Sequence, residues 1–170
     1  TLVLNAVTIE AGKLRNAGKI DPVPVEKMLD FFRNFTDRCH HAKEEKHLFP
    51  LLERRGMPRD RGPVGVMLAE HDEGRRLVSN IGGVLPAAAR GDREAVFSLS
   101  DSLAAYARLL EDHIAKENGV LFPMADQILT PEDQAALQAA FARVEEEETG
   151  EGVHEKYHAL AQEISASLSG

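Results

Sequence analysis

A chain of 170 residues, 43% of them hydrophobic, is long enough to bury one sizeable core and too apolar to remain disordered. Its net charge of −8 argues against nucleic acid, whose phosphates call for a basic surface. No apolar run approaches the roughly 18 residues needed to span a bilayer, and the single cysteine, Cys39, rules out an internal disulfide framework. The opening at Thr1 carries no signal-peptide pattern, so the expectation is a cytoplasmic protein without membrane or nucleic-acid partners.

Period-2 alternation is nearly absent and 3.6-residue periodicity runs throughout, which predicts an all-α fold. A first helix covers about 2–16 and closes at Gly18. Asp21-Pro22 opens a second, which runs toward Arg55 and stops at Gly56. After a polar loop at 59–63 a third helix begins near Val64, frays at Gly82-Gly83 and ends by Pro86 or Gly91. A long fourth helix starts near Asp92 and is bent or broken by Pro123 near its end. Thr130-Pro131-Glu132-Asp133 caps a fifth. The acidic run at 145–148 and the glycines at 150 and 152 separate it from a sixth over about 153–168. Four long helices with short connections predict an antiparallel up-down-up-down four-helix bundle over 1–129. The two shorter C-terminal helices of 130–170 then pack outside it, within the same domain.

Residues 40–52, HHAKEEKHLFPLL, are nearly repeated at 113–125 as HIAKENGVLFPMA, with seven of thirteen positions identical. In both copies a histidine stands four residues before a glutamate. On the apolar stripe of the second helix, His40, Glu44 and His47 sit where the next leucine should be. His113 and Glu117 do so on the fourth helix, and His71 and Arg75 on the third. Residues i and i+4 share a helix face about 6 Å apart, so His40 with Glu44, and His113 with Glu117, form two-donor claws aimed into the bundle. Inward ionisable groups are costly unless paired or metal-bound. Three imidazoles and two carboxylates suit iron, zinc or manganese better than they suit salt bridges. The repeat would then supply equivalent ligands to two ions.

HHAKEE, EHDEGR and HIAKE followed by LFP resemble the motifs of hemerythrin-like proteins, the HHE cation-binding domains. The resemblance implies an antiparallel four-helix bundle holding two non-heme irons bridged by carboxylates and an oxygen species. It implies His40, Glu44, His71, His113 and Glu117 as ligands. The animal oxygen carriers of that group have a second histidine one turn along the third helix; here Arg75 stands there, which points away from reversible oxygen carriage. The family also carries a ligand histidine near the start of the first helix. Here the stripe of that helix is Leu2, Ala6 and Ile9, with Glu10 nearby, so a histidine is expected about one turn upstream of Leu2. Ferritin-like di-iron bundles are the rival, with Glu-x-x-His on two helices. Glu44 to His47 fits that signature once, but Val120 fails the second copy.

Other residues have plainer readings. His41 points about 100° from His40, toward the surface or the back of the site. His47, two turns from His40, could line the pocket or replace a ligand. Tyr106, two turns before His113, is either a core tyrosine with one hydrogen bond or a donor to a bound oxygen species. His154 and His158 read as solvated. Glu70 and Asp72 flank His71 but lie off the stripe, and are left out of the site. Phe32, Phe35 and Leu110 are expected to keep the pocket dry. The functional expectation is a di-iron protein that binds or reduces dioxygen, nitric oxide or peroxide in sensing, detoxification or iron handling. The alternatives are a non-catalytic bundle that stores or senses iron through a protein partner docked on the last two helices, or a metal-free structural bundle.

Overall fold

The computed structural model describes residues 2–15, 20–145 and 153–167. The expected Gly18 stop, the break at 146–152, the side chain of His154 and the histidine upstream of Leu2 lie outside the described residues. In chain order the elements are α1 (Leu2–Arg15), α2 (Val23–Asp30), a π-helical stretch π1 (Phe31–His41), a second, π2 (Glu44–Leu48), and α3 (Phe49–Arg54). They continue with α4 (Gly62–Ala89), α5 (Arg93–Lys116), π3 (Glu117–Leu121), α6 (Phe122–Ile128), α7 (Pro131–Val144) and α8 (Val153–Ser167). Segments α2 to α3 form one rod and α5 to α6 another. With α1 and α4 these rods make the four-helix bundle that the periodicity predicts, with α7 and α8 as the shorter C-terminal helices.

The rods end where the sequence marks their ends. Gly56 and Gly91 take φ of 95° and 90°, a left-handed conformation that costs a glycine little. The Asp92 side chain accepts from the Ala95 N–H at 3.1 Å, and Thr130 and Asp133 form a reciprocal capping box. One expectation is corrected: α4 does not fray at Gly82-Gly83; of its two expected ends it takes the later, passing Pro86 and running on to Ala89, just before Gly91. Burial of Ile81, Leu85 and Ala88 outweighs the weak propensity of those residues. The missing side chain of Gly82 also leaves room for the Arg33 guanidinium, which a Cβ there would strike.

The two wide turns π2 and π3 have a common cause in the repeated Leu-Phe-Pro. Pro50 and Pro123 have no N–H to give, and each ring crowds the carbonyl four residues back. The backbone responds by skipping one residue. The Phe49 N–H bonds the Glu44 carbonyl, and the Phe122 N–H bonds the Glu117 carbonyl, five residues earlier in each case. The repeat in sequence is therefore a repeat of backbone geometry, centred on the two glutamates.

The interior divides into two apolar clusters. The larger holds Val7, Met28, Phe32, Ile81, Leu99, Leu103 and Tyr106 among others. The smaller holds Leu48, Phe49, Leu52, Met57, Val64, Met67, Leu121 and Ala125. Between them lies a layer of buried polar side chains: His41, Glu44, His71, His113 and Glu117. On the outside, α7 is tied to the rod of α2 to α3 through Arg55 to Asp133 at 2.7 Å and Lys43 to Glu145. On α8, Tyr157 packs against Phe31 and Phe35. Among the described residues no helix is long and apolar enough to cross a membrane.

Candidate metal centre

Three elements deliver the polar layer. The rod of π1 and π2 brings His40, His41 and Glu44, α4 brings His71, and the end of α5 with π3 brings His113 and Glu117. Two sets of donor atoms result, each with its members within 4.8 Å of one another: His41 with His71 and His113, and His40 with Glu44 and Glu117. The two carboxylates of the second set also reach the first. Glu44 Oε2 lies 3.3 Å from His71 Nε2 and 4.0 Å from His40 Nε2. Glu117 Oε1 lies 3.1 Å from His113 Nε2 and 3.5 Å from His40 Nε2.

The two adjacent histidines take unequal places, and of the two directions expected for His41 the surface one does not hold. His41 is buried, at 4% exposure, and stacks on the His71 ring with centroids 3.8 Å apart. The side chain of His40 is 46% exposed and reaches the glutamates from the rim. Both residues close π1, where hydrogen bonds running five residues back instead of four widen the turn, so the roughly 100° step of a regular helix does not hold across it.

Each of the three clustered histidines has a carboxylate near its Nδ1. Glu45 lies 2.7 Å from Nδ1 of His71 and Glu70 lies 3.0 Å from Nδ1 of His113. Asp37 lies 3.7 Å from Nδ1 of His41, one turn away on the same rod. Arg75 joins two of these acids, donating from Nη2 to Glu45 at 2.6 Å and from Nε to Asp37 at 2.8 Å. Lys116 pairs with Glu70. Carboxylates on the outer nitrogens orient imidazoles and leave the inner nitrogens free to ligate. Asp37, Glu45 and Glu70 were not legible as site residues. Asp37 carried a signal, its spacing of four from His41. The other two meet histidines of neighbouring helices, a register that one helix's periodicity does not contain.

The inward atoms support a fit to metal. Nε2 of His41, His71 and His113, both oxygens of Glu44 and Oε1 of Glu117 are buried without a hydrogen-bond partner, as is Nδ1 of His41, from which Asp37 stays 3.7 Å away. Leaving such groups unpaired costs about 1–3 kcal/mol apiece. Burial pushes the His41 imidazole down to about 4 and lowers His71 as well, so both offer the neutral ring that a metal requires. Burial and the nearby Glu117 carboxylate push Glu44 up, His40 opposing. Burial would do the same to Glu117, but His113 and His40 beside it hold it below the ordinary carboxylate range.

The remaining candidates fall around this layer. A cavity of about 370 Å³ opens beside His40, His41, His113 and Glu117, and Phe32, Phe35 and Leu110 all line it. A second, of about 230 Å³, lies on another side of His41, between Tyr106, Arg75 and Asp37. Tyr106 is buried against Phe32, with ring centroids 4.3 Å apart and Thr36 as its polar neighbour. Burial pushes its phenol up, which keeps it protonated. His47 turns away from the donor sets toward Phe141 of α7, and His158 is exposed.

The chain resembles several known proteins in sequence. The chain is 28% identical over 148 residues to the uncharacterized protein Rv1995 of Mycobacterium tuberculosis, covering 86% of this chain and 57% of that protein. It is 32% identical over 129 residues to the iron-sulfur cluster repair protein YtfE of Edwardsiella ictaluri, covering 73% of this chain and 56% of that protein. With YtfE of Salmonella newport it shares 38% identity over 92 residues, 51% of this chain and 40% of that protein. The chain thus spans between 40% and 57% of the length of these relatives. No solved structure matches it. The model of the hemerythrin HHE cation-binding domain matches residues 4–125, most of the chain and all of the polar layer. The chain belongs to the hemerythrin HHE cation-binding family.

Proposed function

We propose that the chain is a non-heme di-iron protein that binds or reduces a small ligand, either a diatomic such as dioxygen or nitric oxide, or a peroxide. The observation that carries this reading is the set of buried, unpartnered donor atoms gathered from three elements between two apolar clusters. His40, Glu44, His71, His113 and Glu117 are the donors of this reading. Glu44 and Glu117 would help hold the metal with histidines of both donor sets, since each stands within reach of one from either. Imidazole with carboxylate suits iron, and also zinc or manganese. Bound iron would supply one-electron chemistry and an open coordination position for the ligand.

The rest is work for the chain's own residues. Phe32, Phe35 and Leu110 keep water from the approach to His113 and Glu117, and Asp37, Glu45 and Glu70 hold the imidazoles in place. The relatives named for iron-sulfur cluster repair support iron handling as the setting, although they are longer proteins. The protein, purified without a metal-affinity tag, is expected to carry about two irons per chain, as in carboxylate-bridged di-iron bundles. It is also expected to show an optical spectrum that changes on adding azide or nitric oxide. A chain free of iron after expression in iron-rich medium, and refusing iron on reconstitution, sinks the proposal. Repeated consumption of peroxide distinguishes turnover from iron storage or sensing.

A further inference from the structure

We propose that His41 is a sixth metal donor of this centre, and that Arg75 is the positioning residue that sets it, together with His71, through Asp37 and Glu45. This deepens the di-iron reading and rests on it. The pattern by which the chain resembles its family assigns His40, not His41, to the inward position. The structure buries His41 and leaves His40 at the rim, each within a donor set. His41 is 4% exposed, its ring lies parallel to that of His71 within 14°, and its Nε2 has no hydrogen-bond partner. It belongs to a set of three imidazoles whose donor atoms converge within 4.8 Å. A histidine that only filled space would bury two ring nitrogens to no purpose, where phenylalanine would pack at lower cost. Asp37, four residues earlier, stands 3.7 Å from its Nδ1, within ion-pair reach but without a hydrogen bond, so that both ring nitrogens are unpartnered.

Arg75 spans the two supports. Its guanidinium meets Asp37 behind His41 and Glu45 behind His71, so one planar cation from α4 fixes two acids on the neighbouring rod. A third contact, from Nη1 to Asp72 at 3.1 Å, fixes the guanidinium itself. A lysine could reach one acid but not present two donor directions in a rigid fork. The structure thus gives Arg75 work in the place where the animal oxygen carriers have a ligand histidine: it orients two imidazoles from outside.

The test uses the full chain stripped of metal and reloaded with cobalt(II), with metal content and the visible absorption of the bound cobalt as readouts. In His41→Phe the ring is kept and the nitrogens are lost. The metal-free variant should fold with unchanged circular dichroism and melt no lower than the parent. Its cobalt should bind at least tenfold more weakly, with an altered spectrum. Arg75→Gln should weaken binding by about 10- to 100-fold, as loss of outer supports does elsewhere. Arg75→Lys should recover only part of the loss. His41→Gln serves as the second variant if the phenylalanine form misfolds. Parent-like affinity and spectrum in the folded His41 variants overturn the proposal and leave the di-iron reading intact. Failure of the parent to bind metal at all overturns that reading first.

Discussion

His113 meets Glu70 through one ring nitrogen and Glu117 beside the other, so it stands where support and donor meet. His113→Ala is expected to empty or halve the iron content measured by elemental analysis; unchanged content would move the donors elsewhere. Tyr106 sits behind His41 and keeps its proton because it is buried. Tyr106→Phe should therefore leave iron content alone while changing the lifetime of an azide or nitric oxide adduct followed in a stopped-flow spectrometer. Identical kinetics would return the residue to plain packing against Phe32. At this scale the sequence was a partial guide. Five donor-type residues could be read from apolar stripes because a costly group at a leucine position needs a reason. The unequal places of His40 and His41 could not, since a stripe drawn at 100° per residue presumes the regular helix that π1 departs from. Glu45 and Glu70 stayed hidden because their partners belong to other helices.

The same limit appears one level up. Helix existence, the glycine stops and the Thr130 cap were legible in residue types, whereas π2 and π3 were visible only as two prolines expected to bend a rod. What those prolines do is widen the turn that carries each glutamate. Pro50→Ala restores a donor for the carbonyl four residues back and favours the regular turn. Glu44 should then rotate, and the variant should lose iron to a chelator faster than the parent in a timed competition. Equal rates would mean that packing alone sets the wide turn. In α7 the reciprocal cap of Thr130 and Asp133 invites a simpler test. Thr130→Ala should cost about 1 kcal/mol, read as a lower denaturant midpoint. The effect on iron should be nil, because the capping pair touches no donor. Gly82-Gly83 is the opposite lesson: weak local preference was read as fraying, and burial on both sides overrode it.

Across the whole molecule, the fold class followed from periodicity alone, but the division of its interior did not. Metal that binds only the folded chain stabilises it by about 2.7 kcal/mol when its free concentration is a hundred times the dissociation constant. Stripping it should therefore lower the melting temperature, and a melt unmoved by chelation would show that no such linkage exists. The layered interior says more about how that melt should look. Every helix that crosses the layer passes from one apolar cluster to the other through inward atoms that lack hydrogen-bond partners without metal. The smaller cluster is then coupled to the larger by the helices and by the outer contacts of Glu45, Glu70 and Arg75, with nothing at the centre. Calorimetry of the stripped protein should resolve two steps, the end built on Phe49, Met67 and Leu121 opening first, and proteases should cut there before the remainder unfolds. Loaded protein should melt in one. In this bundle the ions would be the rivet that makes two part-cores a single cooperative unit, so that loss of iron is read out as local opening at one end of the molecule.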